Sequence, residues 1–338
     1  MSEYAPPFTI TDKAIASIAR INRLLGEFTA RQELSRSPKL RRENRIRSIH
    51  SSLVIENNTL SLDEVTALLD GKRILGPPKD IREVQNAFEA YERLSEFDPY
   101  SMEDLLQAHG FMMADLVKDA GRFRTGNVGV FAGDALVHAG TPARYVPEVM
   151  ADLFNWLSTT ETHPLISSSV FHYEFEYIHP FSDGNGRMGR LWQSLILQRW
   201  DPLFAWLPVE SLIAAHQQEY YDALGKAQAE ADSTVFVEFM LDVIEETLSE
   251  QANEPINEPI NESINYLTNR QGQLLALLQE DPTSTYEDMM EALGVSRSTL
   301  QRDLRALEDA GAIKRDGARK NGRWIVLGGL AHGTACGA

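Results

Sequence analysis

The sequence predicts a mainly α protein whose helical core carries one β-hairpin, followed across a linker by a winged helix-turn-helix domain. Three observations lead there. Apolar residues recur at helical spacing almost as far as residue 250. That rhythm breaks at "NVGVFAGDALVHAG" (Asn127 to Gly140). The repeat "NEPINEPINESIN" (Asn253 to Asn265) then separates this region from a short stretch patterned helix, turn, helix, hairpin.

The helical spacing covers residues 12–33, 42–57, 62–70, 80–95, 102–118, 147–158, 166–178, 186–199, 211–229 and 234–250. Ser61-x-x-Glu64 is a capping box, in which each side chain satisfies a free N–H of the first turn. Pro147 sits where a missing N–H costs nothing. Asp201-Pro202 ends the helix begun near Gly186, because a residue before proline is pushed out of the helical region. Within Asn127 to Gly140, Gly133-Asp134 lies between two short apolar runs and has glycine where a type II′ turn needs it.

The prolines, asparagines and glutamates of the repeat bury too little apolar surface to order themselves, which makes it a spacer. Beyond it, Gly294-Val295-Ser296 separates two short helices, the second with Leu300, Leu304 and Leu307 at core spacing. "AIKRDGARKNGRWIVL" then supplies two strands, the wing.

The net charge of -17 excludes a protein whose whole surface attracts nucleic acid or anionic lipid. A single cysteine, Cys336, rules out a disulfide framework and fits a reducing compartment. The N-terminus lacks the features of a secretory signal, and no apolar run approaches the roughly 18 residues that span a bilayer. A cytoplasmic protein without membrane contact is expected. From Tyr266 onward nine basic residues offset nine acidic ones, so the preceding region carries the whole charge. Arg297, Arg302, Arg305, Lys314, Arg315, Arg319, Lys320 and Arg323 are candidate phosphate contacts. DNA is therefore an expected partner, centred on Arg297-Ser298 to Arg305, with protein interaction as the alternative.

The chemistry concentrates in "HPFSDGNGRMGR", residues 179–190. Asp183-Gly184-Asn185-Gly186 is a turn that enters a helix N-terminus, where unpaired N–H groups and positive partial charge favour anions. The glycines around Asn185 let the backbone approach a ligand and adopt positive φ. Arg187 and Arg190 are placed to bond the far end of a polyphosphate. A carboxylate among phosphates needs a cation between them, and Asp183 with Mg²⁺ meets that need. His179 stands just outside the nest as a general base. Together these residues read as phosphoryl or nucleotidyl transfer. A rival reading uses His172, Glu176 and His179 as metal ligands on one helical face, which leaves Asp183 and both arginines without a role.

This run resembles the signature of Fic-domain proteins, H-P-F-x-D/E-G-N-G-R-x-x-R, at every fixed position, and the likeness extends over roughly residues 1–250. It implies a Fic-type helical core and transfer of AMP from ATP to a Ser, Thr or Tyr hydroxyl of a target protein or of the chain itself. By position, His179 would be the general base, and Asp183 would hold Mg²⁺ against the α- and β-phosphates. Gly184, Asn185 and Gly186 would form the anion nest, and Arg187 and Arg190 would contact the β- and γ-phosphates. The hairpin near Gly133, with "GRFRTGNV" before it, resembles the family's flap, on which an extended target segment docks by strand addition.

Upstream, Ser52-x-x-x-Glu56-Asn57 resembles the family's inhibitory motif. Ser48, Ser52 and Glu56 share one helical face, opposite a buried face with Ile46, Ile49 and Leu53. Glu56 would pair with Arg190 and deny it to the γ-phosphate. The implied division is an N-terminal helical region with the inhibitory helix (1–110), a catalytic core (111–252), linker (253–265), winged helix-turn-helix (266–328) and tail (329–338). A homo-oligomer is expected, as relatives often dimerise. The alternatives are a de-AMPylating hydrolase and a DNA-binding regulator whose Fic region senses nucleotide.

Overall fold

Each stretch with helical spacing before the linker contains helix in the computed structural model, which describes residues 4–31, 38–132 and 135–253. In the C-terminal part it describes residues 274–275, 277–279, 281–282, 284–293, 295, 300, 304, 307, 313–316 and 323–326. The chain divides into two units, Met1–Glu254 and Pro255–Ala338.

The first unit opens with α1 (Asp12–Arg31) and α2 (Pro38–Ile55). After these come α3 (Leu62–Leu69), α4 (Pro78–Glu92) and α5 (Met102–Met112). A hairpin of β1 (Gly129–Ala132) and β2 (Ala135–Ala139) leads into α6 (Val146–Thr159), α7 (Pro164–Ile178) and α8 (Asn185–Trp200). The unit closes with α9 (Val209–Ala215), α10 (Gln217–Glu230) and α11 (Thr234–Asn253).

The centre is α7, buried at every position from Leu165 to Phe175. It is enclosed by α6, α8 and α11, as a helix apolar on nearly all sides must be. Its partner α8 also buries most of its length, so the loop between them is anchored at both ends. The capping box of α3 forms as expected: Ser61 Oγ accepts from Glu64 N, and the Glu64 carboxylate accepts from Ser61 N at 2.8 Å.

Two expected helices differ. The stretch 211–229 breaks at His216 (φ -107, ψ 37) into α9 and α10. The first packs chiefly on α2 and also reaches α11, and the second packs on α11. The stretch 102–118 ends as α5 at Met112, because Asn86 of α4 caps the freed carbonyls of Met112 (3.3 Å) and Ala114 (2.7 Å). On α2, Ile46, Ile49 and Leu53 are buried as expected, but Ser48 and Ser52 on the opposite face are buried too.

The strands of the hairpin pair antiparallel, Gly129 with Ala139 and Val130 with His138, and a bulge precedes the pair Phe131–Leu136. The turn expected at Gly133-Asp134 lies outside the described residues.

The second unit has its own core of Leu274, Leu275, Leu278, Met289, Leu300, Leu304, Leu307, Ile313 and Trp324. Its helix α12 (Tyr286–Leu293) starts at a capping box, with Asp288 N donating to Thr285 Oγ1 and Thr285 N to Asp288 Oδ2. Strands β3 (Ile313–Asp316) and β4 (Arg323–Val326) form the expected antiparallel wing. Lys314 and Arg323 are exposed on it. The side chains of Arg297, Arg302, Arg305, Arg315, Arg319 and Lys320 lie outside the described residues. The protein is thus mainly α, with a hairpin in the helical core and a C-terminal winged helix-turn-helix domain.

Candidate active site

His179 follows the last residue of α7 and caps it in the left-handed conformation, φ 54. That region is costly for a residue with a side chain and persists only where the surroundings impose it. Arg124 imposes it. Its Nε donates to the His179 carbonyl (2.7 Å), Nη1 to that of Gly126 (2.8 Å) and Nη2 to that of Ile178 (3.3 Å). Nη2 also donates to the Thr141 carbonyl. One buried guanidinium therefore ties the end of α7 to both feet of the hairpin. Gly140 makes room for it, since a Cβ there would lie 3.1 Å from Arg124 Nη2 and 3.3 Å from His179 Cβ. The His179 Nδ1 lies 3.4 Å from the Glu176 carbonyl.

The loop that follows closes on itself. Asn185, buried, donates from Nδ2 to the Phe181 carbonyl (3.0 Å) and accepts the Phe181 N–H at Oδ1 (2.9 Å). Its side chain is thus spent on shaping the loop. Phe181 stacks on His109 with ring centroids 3.6 Å apart. His109 Nδ1 accepts the Gly121 N–H (2.9 Å), which puts the ring proton on Nε2, where it donates to the Asp183 carbonyl (3.1 Å). Burial lowers the His109 pKa to about 4, keeping it in that neutral form. Gly184 caps α8 at φ 84, and a Cβ there would meet Met113 Sδ at 2.7 Å.

Asp183 Oδ1 accepts from Gly184 N (2.6 Å) and from Arg187 Nη2 (3.0 Å), with 48% of its side chain exposed. Oδ2 takes part in no hydrogen bond among the described residues. A half-exposed carboxylate beside an anion nest fits Mg²⁺ held jointly with substrate phosphates. Among the described residues no three His, Cys, Asp or Glu side chains converge as a metal site. His172, one member of the rival ligand set, engages Gln193 Oε1 through Nδ1 (2.6 Å) and the Tyr220 hydroxyl through Nε2 (3.1 Å).

The two arginines differ in their surroundings. Arg187 is 3% exposed and lies between Glu83 Oε1 of α4 (Nη1, 3.2 Å) and Asp183. Arg190, also buried, donates from Nη2 to Glu56 Oε1 (2.7 Å) and the Ser52 carbonyl (2.9 Å), and from Nε to Ser52 Oγ (3.1 Å). Burial opposes the charge of Arg190 more than any one neighbour favours it, but the surrounding groups, Glu56 foremost, together outweigh burial and raise the pKa. Glu56 also rests against Gly186, where any Cβ would collide with Oε1. Its carboxylate thus lies at the first turn of α8, where a helix N-terminus favours negative charge.

Glu56, Gly186 and Arg190 therefore meet, as do Asp183, Gly184 and Arg187, and both groups frame one helix N-terminus. Sequence reasoning missed Arg124, His109 and Glu83. The "GRFR" run drew notice only as the approach to the hairpin, and the others are single polar residues within amphipathic stretches.

The chain matches the Fic/DOC family over residues 99–197 and an HTH domain over residues 270–319. It is similar to a crystal structure of a Fic family protein from Desulfovibrio desulfuricans: 44% identity, 97% of this chain and 100% of that one covered, TM-score 0.76. Protein adenylyltransferase fic-1 of Caenorhabditis elegans is 32% identical over 238 residues, 65% of this chain. The chain spans only 44% of that relative's length. A solved structure of Fic-1 from the same organism is 26% identical, covering 71% of this chain and 72% of that one, with TM-score 0.58.

Proposed function

Since the chain belongs to the Fic family, we propose that it transfers AMP from ATP to a Ser, Thr or Tyr hydroxyl of a target protein or of itself, and that Glu56 holds this activity in check. The observation that carries the reading is the complete "HPFSDGNGRMGR" run wrapped around one helix N-terminus, with Glu56 on Arg190. Protein adenylyltransferases among its relatives support the choice of reaction.

In this reading His179 takes the proton of the target hydroxyl. The hydroxyl oxygen bonds to the α-phosphorus, the bond from that phosphorus to the bridging oxygen breaks, and pyrophosphate leaves. Asn185 and Gly186 present backbone N–H groups to the phosphates, Gly184 shapes the turn with its own N–H on Asp183 Oδ1, and Arg190 meets the γ-phosphate once Glu56 withdraws. Arg187 acts by holding Asp183, which supports its role better than direct phosphate contact does. Asp183 would hold Mg²⁺, which would supply neutralisation of the phosphate charge. The target segment adds as a strand along the edge of the β1–β2 hairpin, whose feet Arg124 joins to His179.

The test is label transfer from α-labelled ATP with Mg²⁺, by wild type, Glu56→Gly, His179→Ala and the double variant, with self-modification as readout. Strong labelling by Glu56→Gly, weak labelling by wild type and none by either His179→Ala form is expected. If Glu56→Gly binds ATP yet takes no label while wild type strips AMP from a modified protein, the reaction runs as de-AMPylation. A second role, DNA binding, is favoured by the HTH match over residues 270–319.

A further inference from the structure

Arg187 is a buried cation with two carboxylates, and these differ sharply in setting. Asp183 faces solvent with 48% of its side chain exposed, whereas Glu83 is 5% exposed. Each Glu83 oxygen has a buried partner: Oε1 accepts from Arg187 Nη1 (3.2 Å) and Oε2 from Asn58 Nδ2 (2.9 Å). Asn58 is itself fixed, donating to the Asp80 carbonyl (3.1 Å) and accepting the Leu60 N–H (3.2 Å). Lys79 Nζ also approaches Oε1, at 3.7 Å, but it is 70% exposed and solvent screens it. Glu83, Asn58 and Lys79 all lie outside the signature run.

Two carboxylates on one guanidinium leave a net negative charge, and the exposed member has it to spare. Were Asp183 the only counter-charge, its carboxylate would be neutralised by Arg187, and an arriving cation would face an unbalanced guanidinium in a poorly screened site. We propose that Glu83 is a positioning residue whose charge balances Arg187 and so leaves Asp183 able to hold a divalent cation. The proposal rests on the assignment of Asp183 as the cation-holding residue under the proposed function. A merely structural ion pair would make a different prediction. Losing it would weaken cation and nucleotide binding together, whereas loss of charge balance acts on the two with opposite sign.

The experiment is calorimetry on the full chain in the Glu56→Gly background, with and without Glu83→Gln. Mn²⁺ is titrated in the presence of a non-hydrolysable ATP analogue, and separately the analogue is titrated with a chelator present. With Glu83→Gln, Mn²⁺ affinity is expected to fall about tenfold (~1.4 kcal/mol), while metal-free analogue binds as well as before or more tightly. Unchanged Mn²⁺ affinity, or equal weakening of both ligands, overturns the proposal. If Glu83→Gln does not fold, Glu83→Asp decides. It keeps the charge but draws it back from Nη1, and a loss of about two- to fivefold for Mn²⁺ alone supports the proposal, whereas none overturns it. Asp183→Ala separates the two readings: if it binds Mn²⁺ normally, the assignment of Asp183 has failed, whatever Glu83 does.

Discussion

Glu176 lies one turn before His179, with Oε1 enclosed and without a hydrogen bond among the described residues. Its oxygen is 3.9 Å from His172 Nε2, and a Cβ on Gly189 would meet it at 2.8 Å. Burial raises its pKa from 4.5 to about 8; the positive charge of Arg190 opposes the rise and the negative charge of Glu56 adds to it. The folded protein therefore keeps a proton near neutral pH that the unfolded chain has lost. Stability from this group is complete below pH 4.5 and falls as pH rises towards about 8. Glu176→Gln cannot ionise, so it should gain on wild type by on the order of 3 kcal/mol between pH 5 and pH 8.5 in chemical denaturation. A pH-independent difference would mean that Glu176 titrates as an exposed carboxyl. The same scale holds what was hardest to read beforehand. His179, Asp183 and Glu56 announce themselves by motif, but Arg187 finds Glu83 across 104 positions, and no local pattern marks that pairing. His109 is similar: its role depends on Gly121 and Asp183, brought together by the fold. His109→Phe keeps an aromatic ring but leaves those two backbone groups unpaired. A stability loss of about 2 kcal/mol in urea denaturation is expected.

Among the elements, α2 decides whether the site is closed. Its buried polar face reaches inward through Ser48, which donates to Glu210 (2.8 Å), and Ser52, which meets Arg190. At its C-terminus the Ile55 carbonyl would lack a helical partner. Gln217 Nε2 (3.0 Å) and the Tyr221 hydroxyl (3.3 Å), both on α10, donate to it. These bonds hold the residue immediately before Glu56. Gln217→Ala should therefore loosen the helix end and raise label transfer several-fold over wild type, though less than Glu56→Gly does. Activity equal to wild type would show that packing alone holds α2. Helical spacing made α2 legible as an element, yet its inward polar face was not, because serines on a helix look the same whether they meet water or a buried arginine. The break at His216 escaped for a related reason: α9 lies mainly against α2 and α10 against α11, and no local stop signal marks the change.

At the scale of the whole molecule, the two units have separate cores and carry charge unequally. No described helix is long and apolar enough to cross a membrane. The first unit, Met1–Glu254, contains every residue assigned to the reaction. A chain ending at Asn253 and carrying Glu56→Gly should fold and keep the label transfer of the full-length variant, and a loss of transfer would give the second unit a part in the chemistry. For the second unit, DNA binding must work against a balance of nine basic and nine acidic residues from Tyr266 onward. Attraction then depends on the basic residues lying together, and on the wing the exposed Lys314 and Arg323 are candidates. A footprint of about four phosphate contacts implies a slope near -3.6 in log affinity against log salt, from roughly -0.9 per contact. Residues 266–338 should shift duplex DNA at low salt with a slope of about that size, and Lys314→Ala should make it shallower by about one unit. Binding that ignores salt, or none at low salt, would turn the wing towards a protein partner, because a neutral domain has no other long-range hold on a phosphate backbone.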